Sequence, residues 1–263
     1  MRLPLRMVAV LVKDRAQYPG RLVMDISSIL TRCGILLLLY ASVFRLNGGV
    51  INGTTFQFAA WSIFFYFAFL VLRLRDISQE IMRDIQTGNI EVLLGKPVAY
   101  LSYRMWWQIG SGIYSFLVIA PVATIVLAMI IGIPATMTNG FFVSSLLLTF
   151  VLGAVLSLLI YAIVGLLSFW MEDTRPLHWL VDKAVMILGG SYLPVALFPD
   201  FMYKIALYSP FGASQFVTHT VYVSWAAQWQ RSVAIQTFWI LALGAVTYVM
   251  FEKAKRRVSV NGG

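Results

Sequence analysis

Charge is scarce in this sequence. Asp, Glu, Lys and Arg make up 12% of its 263 residues, against roughly 25% in soluble domains, whereas 60% are hydrophobic and 14% aromatic. Lipid is therefore the expected main solvent. Cysteine is all but missing. Cys33 stands alone inside the first long apolar run, which excludes a disulfide framework and a cysteine metal site. The two histidines, His178 and His219, are expected in loops on opposite sides, as solvated or interfacial rings rather than an intramembrane relay. No Gly-x-x-x-x-Gly-Lys-Ser/Thr loop occurs, because the one Gly-Lys, Gly95-Lys96, runs into Pro97; the chain is not expected to be an ATPase. Paired-His zinc motifs, a Gly-x-Ser-x-Gly elbow and Asp/His clusters are missing too, so no enzyme activity, metal or cofactor is expected on this chain. Apolar runs almost free of carboxylates also argue against a proton- or sodium-coupled carrier. Energy for any movement has to come from outside.

Long apolar runs are what the sequence does have. Six are readable, at 26–44, 56–72, 106–131, 141–169, 184–198 and 233–251, five of them clearly long enough to cross a bilayer and the fifth in order short. They leave no room for an appended soluble domain, so one membrane domain over 1–263 is expected. With the N-terminus inside, 17 of the 20 Lys and Arg fall on the inner side: six from Arg2 to Arg32, five from Arg73 to Arg104, then Arg175, Lys183, Lys253, Lys255, Arg256 and Arg257. Only Arg45, Lys204 and Arg231 fall outside. This asymmetry predicts a multi-pass protein of the cytoplasmic (inner) membrane with both termini in the cytoplasm. The net charge of +9 is accounted for by anionic lipid and topology, and no nucleic-acid partner is expected. Met1 to Pro19 is basic and mixed and does not read as a cleavable signal.

Four segments carry more than topology. Met1 to Tyr18 places Arg2, Arg6, Lys13 and Arg15 among Leu3, Leu5, Val8, Leu11 and Val12 and is closed by Pro19-Gly20, a pattern that suits a helix lying in the inner interface. Arg73 to Arg104 reads as two short amphipathic helices at a bend. Asp76 and Ser78 offer capping oxygens, Ile77, Ile81 and Ile85 recur on one face, Gly88 stops the first helix, and Gly95 and Pro97 end the second. Glu80, Arg83, Asp84 and Glu91 are then available on polar faces. Such an element either docks in a groove of a cytoplasmic partner or rests on the membrane. The second run is dense in aromatics, among which Trp61, Phe65 and Tyr66 either pack or line a substrate path. The fifth run contains Gly189, Gly190 and Pro194 and is expected to be broken or re-entrant. Asn52-Gly53-Thr54 forms a glycosylation sequon with no evident role.

The stretch TGNIEVLLGKPVAYLSYR resembles the cytoplasmic segment of type 2 ABC transporter permeases, in which Gly-x-x-Glu-x-x-Leu is followed by Pro; Gly88, Glu91, Leu94 and Pro97 match it, and Asn89 stands where Thr is commoner. The region from Arg175 through Gly189-Gly190, Leu193-Pro194 and Phe198-Pro199 to Ser209-Pro210-Phe211 resembles the fifth span and re-entrant helices of the same family. The resemblance implies an all-α membrane fold of six transmembrane helices with an N-terminal interfacial helix, a cytoplasmic coupling helix and a broken fifth span. It further implies half of an export path, coupled to a separate cytoplasmic ABC ATPase dimer that holds ATP and Mg, and completed by a second permease subunit, identical or related. The expected coupling residues are Arg83, Asp84, Gly88 and Glu91, and the expected outer gate is Gly189, Gly190 and Pro194. A lipid-modifying membrane enzyme and a non-transporting anchor for an ATPase are the alternatives.

Overall fold

The computed structural model describes residues 2–17, 19–96 and 98–261. Met1, Tyr18 and Pro97 of the patterns above lie outside the described residues, as do the side chains of Arg2, Leu3, Leu5, Arg15, Pro19, Arg21, Asp25 and Arg257. The described chain is helical almost throughout. In order come α1 (Arg2–Ala16), α2 (Pro19–Leu46), α3 (Phe56–Leu70), α4 (Ile77–Gln86), α5 (Asn89–Leu94), α6 (Tyr100–Ile131), α7 (Gly140–Leu166), α8 (Arg175–Leu188), α9 (Asp200–Tyr208), α10 (Pro210–Ala213) and α11 (Trp225–Asn261). A small hairpin, β1 (Val50–Ile51) and β2 (Thr54–Thr55), joins α2 to α3, with Val50 opposite Thr55 and Ile51 opposite Thr54.

Among the described residues, five segments are long and apolar enough to cross a membrane: Ile26–Leu46, Phe56–Gln86, Tyr100–Ile131, Gly140–Phe169 and Trp225–Arg256. The count differs from the six runs of the sequence because 184–198 is not one helix. α8 has 14 residues, about 21 Å of helix against a hydrocarbon core of roughly 30 Å, and stops at Gly189. A second difference is that α3 continues through a tight turn at 74–76 into α4, so the expected loop from Arg73 begins as a prolongation of the second run.

The segments divide into a centre and a ring. In an apolar 18-residue stretch of Phe56–Gln86, 78% of the residues are buried, and in one of Gly140–Phe169 61%, whereas the corresponding stretches of Ile26–Leu46, Tyr100–Ile131 and Trp225–Arg256 have only 11–17% buried. Lipid gives no reward for hiding apolar surface, so packing in the centre depends on close contact. Small residues supply it. Ala59 and Ala60 are fully buried on α3; a Cβ at Gly153 of α7 would lie 2.6 Å from the Ser214 carbonyl oxygen, and one at Gly165 would lie 2.8 Å from Ile81 Cβ. Pro121 sits within α6, where it removes one backbone hydrogen bond.

α1 is helical as its pattern predicts, and it packs along the start of α6. Leu11 is buried there, and a Cβ on Gly110 would meet Leu11 Cδ1 at 2.7 Å and Val8 Cα at 3.2 Å. Its apolar face is therefore committed, at least in part, to protein.

Candidate functional site

The basic end of the bundle gathers α4, α5 and the starts of α6 and α8. α4 presents Ile77 and Ile81, both fully buried, to α7, and the helices approach so closely that a Cβ on Gly165 would lie 3.0 Å from Ser78 Cα. The turn before α4 is held at Arg73, a non-glycine residue with φ of +54°, a conformation that costs an L side chain energy. Its carbonyl accepts from Gln108 Nε2 at 2.7 Å and its Nε donates to Asp76 Oδ2 at 2.9 Å. Asp76 is thus taken by Arg73 and makes no side-chain cap, and Ser78 donates to the Arg75 carbonyl at 3.0 Å instead of capping α4.

Gly88, at φ +71°, turns the chain from α4 into α5. Beside it, Asp84 is buried, and three side chains donate to it. Arg104 Nε and Nη2 fork onto its two oxygens, Tyr100 Oη donates at 2.6 Å, and Asn89 Nδ2 donates at 3.1 Å. Tyr100 in turn stacks on Phe251 of α11, with centroids 5.9 Å apart and planes 15° from parallel. Charge-assisted, forked bonds of this kind fix geometry strongly. Asp84, expected on a polar face, instead ties the bend to α6 and α11. Arg83 and Glu91 point away. The Arg83 side chain is 65% exposed, touching Glu80 Oε1 at 3.1 Å, and Glu91, Asn89 and Val92 are exposed around the bend.

A second, part-buried pair was not legible as such in the sequence. Asp182 of α8 accepts from Arg75 Nη1 at 3.0 and 3.2 Å and from Tyr161 Oη of α7 at 3.2 Å. One turn earlier, His178 Nδ1 lies 2.6 Å from Ser78 Oγ. His178, expected in a loop, is therefore on α8 and bonded to α4. Ser, His and Asp come together here, but Ser78 is 1% exposed and its hydroxyl reaches the Arg75 carbonyl, so the group serves packing between α4 and α8. The signal that could have found it is the spacing of His178, Asp182, Val185 and Gly189, one face of a helix.

At the opposite end α8 closes with two bonds that satisfy its last carbonyls: Ser191 N to Met186 O at 3.1 Å and Gly190 N to Ile187 O at 3.4 Å. This pairing needs a left-handed residue, and Gly190 supplies it at φ +85°. Gly189 is needed for space, because a Cβ there would lie 2.5 Å from Gln215 Cγ. Pro194 is buried and starts the turn 195–197. The broken segment is then pinned from several sides. Tyr40 Oη donates to the Tyr192 carbonyl, Thr218 Oγ1 to the Gly189 carbonyl at 3.3 Å, and Gln236 Nε2 of α11 to the Ala213 carbonyl at 2.9 Å. His219, expected as a solvated loop residue, is 6% exposed, packed against Phe216 with centroids 4.9 Å apart.

The aromatic residues of α3 separate. Trp61 is fully enclosed and donates Nε1–H to the Gly132 carbonyl at 2.9 Å, and Tyr66 is 2% exposed. Phe65 lines an apolar cleft of about 540 Å³ between α3, α6 and α7 bounded also by Phe69, Phe116, Pro121 and Phe150, whereas Tyr66 borders only a small void of about 20 Å³ beside Asp182. Among the described residues no group of three or more His, Cys, Asp or Glu is placed to hold a metal ion.

In comparison with protein families, the model of a family described as ABC-2 family transporter protein matches residues 30–262. Comparison with curated proteins gives no match.

Proposed function

From the premise that the chain belongs to the ABC-2 transporter family, as a type 2 ABC transporter permease, we propose that it forms half of an export path driven by a separate cytoplasmic ATPase. In this reading the basic end faces the cytoplasm, both termini included, in the inner membrane. α8 with the turns and helices up to Phe216 makes a re-entrant sixth crossing, and α1 lies along the inner interface. A second permease, identical or related, completes the path. ATP and Mg bind to the ATPase pair.

One observation carries the reading. The α4–α5 bend is locked to the bundle on one side by the Asp84 to Arg104 fork, while Arg83, Gly88, Asn89, Glu91 and Val92 stand exposed on the other. A rigid element with a free face is what a mechanical coupling needs: force applied to the bend passes to α6 through Arg104 and to α8 through Arg75 and Asp182. Motion at the basic end then shifts the balance between states of the path, and a ligand takes part through its differential affinity for them. Gly189, Gly190 and Pro194 make the outer gate, and Phe65, facing the apolar cleft, is the expected path residue left with a surface to offer.

The test is affinity purification of the tagged chain in mild detergent. An ATPase is expected at equal stoichiometry, together with a second permease or a second copy of this chain. Glu91→Lys is expected to leave membrane insertion intact and to reduce ATPase recovery or its stimulation by the permease at least several-fold. A chain recovered alone across several detergents would overturn the reading, and unchanged coupling in Glu91→Lys would remove that residue from it.

A further inference from the structure

At the end opposite the basic one lies a recess of about 310 Å³ that the transport reading does not use. It sits under the hairpin of residues 50–55 and above the broken segment after α8. That volume is at the small end of ligand sites, roughly 300 to 1,000 Å³. Its construction is polar and aromatic. Asn52 and Gly53, both at positive φ (+50° and +72°), form the two-residue turn between β1 and β2, the arrangement that Asn-Gly favours in tight hairpins. The turn holds the exposed Asn52 amide at the rim. Across from it, Gln228 accepts from Tyr203 Oη at 2.9 Å through its Oε1, which fixes the amide and leaves its Nε2 protons to donate. Thr54 and Ser224 add hydroxyls to the lining.

Rings make the walls. Phe58 and Tyr222 are paired at 6.5 Å, and Tyr203 lies 6.3 Å from His219. Trp225 also borders the recess, its indole N–H already spent on Ser145 Oγ at 2.9 Å, so it offers a ring face only. No lining residue is Asp, Glu, Lys or Arg. An ion entering this partly enclosed space would lose water without gaining a countercharge. A neutral ligand rich in hydroxyls loses nothing of that kind. Its C–H faces can lie on aromatic rings and its hydroxyls can exchange hydrogen bonds with fixed amides and hydroxyls.

We propose that this recess binds a neutral polyhydroxyl group of the size of a sugar ring, presented either by a free saccharide or by the headgroup of a glycolipid. Asn52 and Gln228 are the hydrogen-bonding residues, and Tyr203, Tyr222 and Trp225 the stacking faces. Only the placement of the recess on the outside of the membrane rests on the transport reading; binding does not need an ATPase, so the two can fail separately.

The experiment uses the full chain, extracted in an amine-oxide detergent and moved into phosphatidylcholine nanodiscs, free of sugar-headed detergent. Saturation-transfer NMR with glucose, galactose and maltose reads free saccharide, and native mass spectrometry with added galactosyl diacylglycerol reads the lipid source. Saturation of sugar C–H protons, or retention of the glycolipid over phosphatidylglycerol, is expected. Asn52→Gly, which keeps the turn conformation, and Gln228→Leu are each expected to weaken binding roughly fivefold through loss of one hydrogen-bonding amide, with unchanged thermal unfolding. Binding of saccharide and glycolipid alike, or of glycolipid alone, supports the proposal and tells the sources apart. No binding of either, equal binding in both variants, or equal retention of the anionic lipid overturns it.

Discussion

At Gly88, between α4 and α5, the backbone turns through φ +71° with open space where a Cβ would stand; at Gly190, after α8, it turns through φ +85° with Val195 Cγ2 2.7 Å from that position. Both glycines end a helix in the left-handed region, yet they answer to different constraints. The first needs only a backbone conformation, and the shape of the bend is held from the side by an ion pair, Asp84 with Arg104, supported by the Tyr100 hydroxyl. The second needs conformation and space together. The break there is held by neutral contacts, from Gln215 and Thr218 at Gly189 and from Val195 at Gly190. A break that must present a free face is braced from behind by charge, whereas a break enclosed by protein is shaped by the absence of side chains.

The largest effect that would break this comparison is at Asp84. Asp84→Ala leaves the buried Arg104 guanidinium to its longer contact with Glu80 Oε2 at 3.7 Å and is expected to cost about 3 kcal/mol, read as a drop in thermal unfolding temperature in detergent. The double change Asp84→Leu with Arg104→Met should recover much of it. If the single variant melts like the parent, ions do not brace the bend. Next is Gly190→Ala, with an expected cost of about 2–4 kcal/mol from left-handed strain plus overpacking against Val195. Gly88→Ala should cost about 1–2 kcal/mol, and Gly88→Asn less, because Asn tolerates the same conformation. Asn at 190 should not be tolerated in this way, so equal unfolding temperatures for Gly88→Asn and Gly190→Asn would erase the distinction. The smallest effect is expected at Asp173. Its carboxyl is held below the usual carboxylate range by hydrogen bonds from Arg175, but the pair is solvated, and Asp173→Asn should leave the unfolding temperature unchanged.

Much of this architecture was legible, for reasons that can be located. The four-residue recurrence of Ile77, Ile81 and Ile85 and the stop at Gly88 mark α4, and the Gly-Gly pair marks the end of α8. What failed was the sorting of charged residues by face. Asp84 was expected on a polar side, although it lies seven residues after Ile77 and three after Ile81, on the same helical stripe. Reading that stripe strictly would have placed it inside. Its partners, Arg104 and Tyr100, sit two helices later, on α6, and Arg75 meets Asp182 across 107 residues of sequence; no local pattern encodes such pairings. The aromatic run of α3 was ambiguous for a related reason. In a lipid-exposed helix and in a helix at the centre of a bundle, composition is the same, and only the small residues Ala59 and Ala60 beside Trp61 hint at the centre.

That central position of α3 has a consequence for how the protein is made. Of its two main neighbours α2 precedes it, but the turn at 216–219 is completed roughly 150 residues after α3, which at 5–20 residues per second is a wait of about 8–30 seconds. During that interval the surface destined to be the most enclosed in the molecule stands in lipid. The segment from Phe56 to Leu70 carries no Asp, Glu, Lys or Arg, and the ions that brace the bundle are deferred to residues beyond it. Order of synthesis thus sets a demand that the finished packing alone does not: the first helix of the centre must be comfortable alone before it is useful in company.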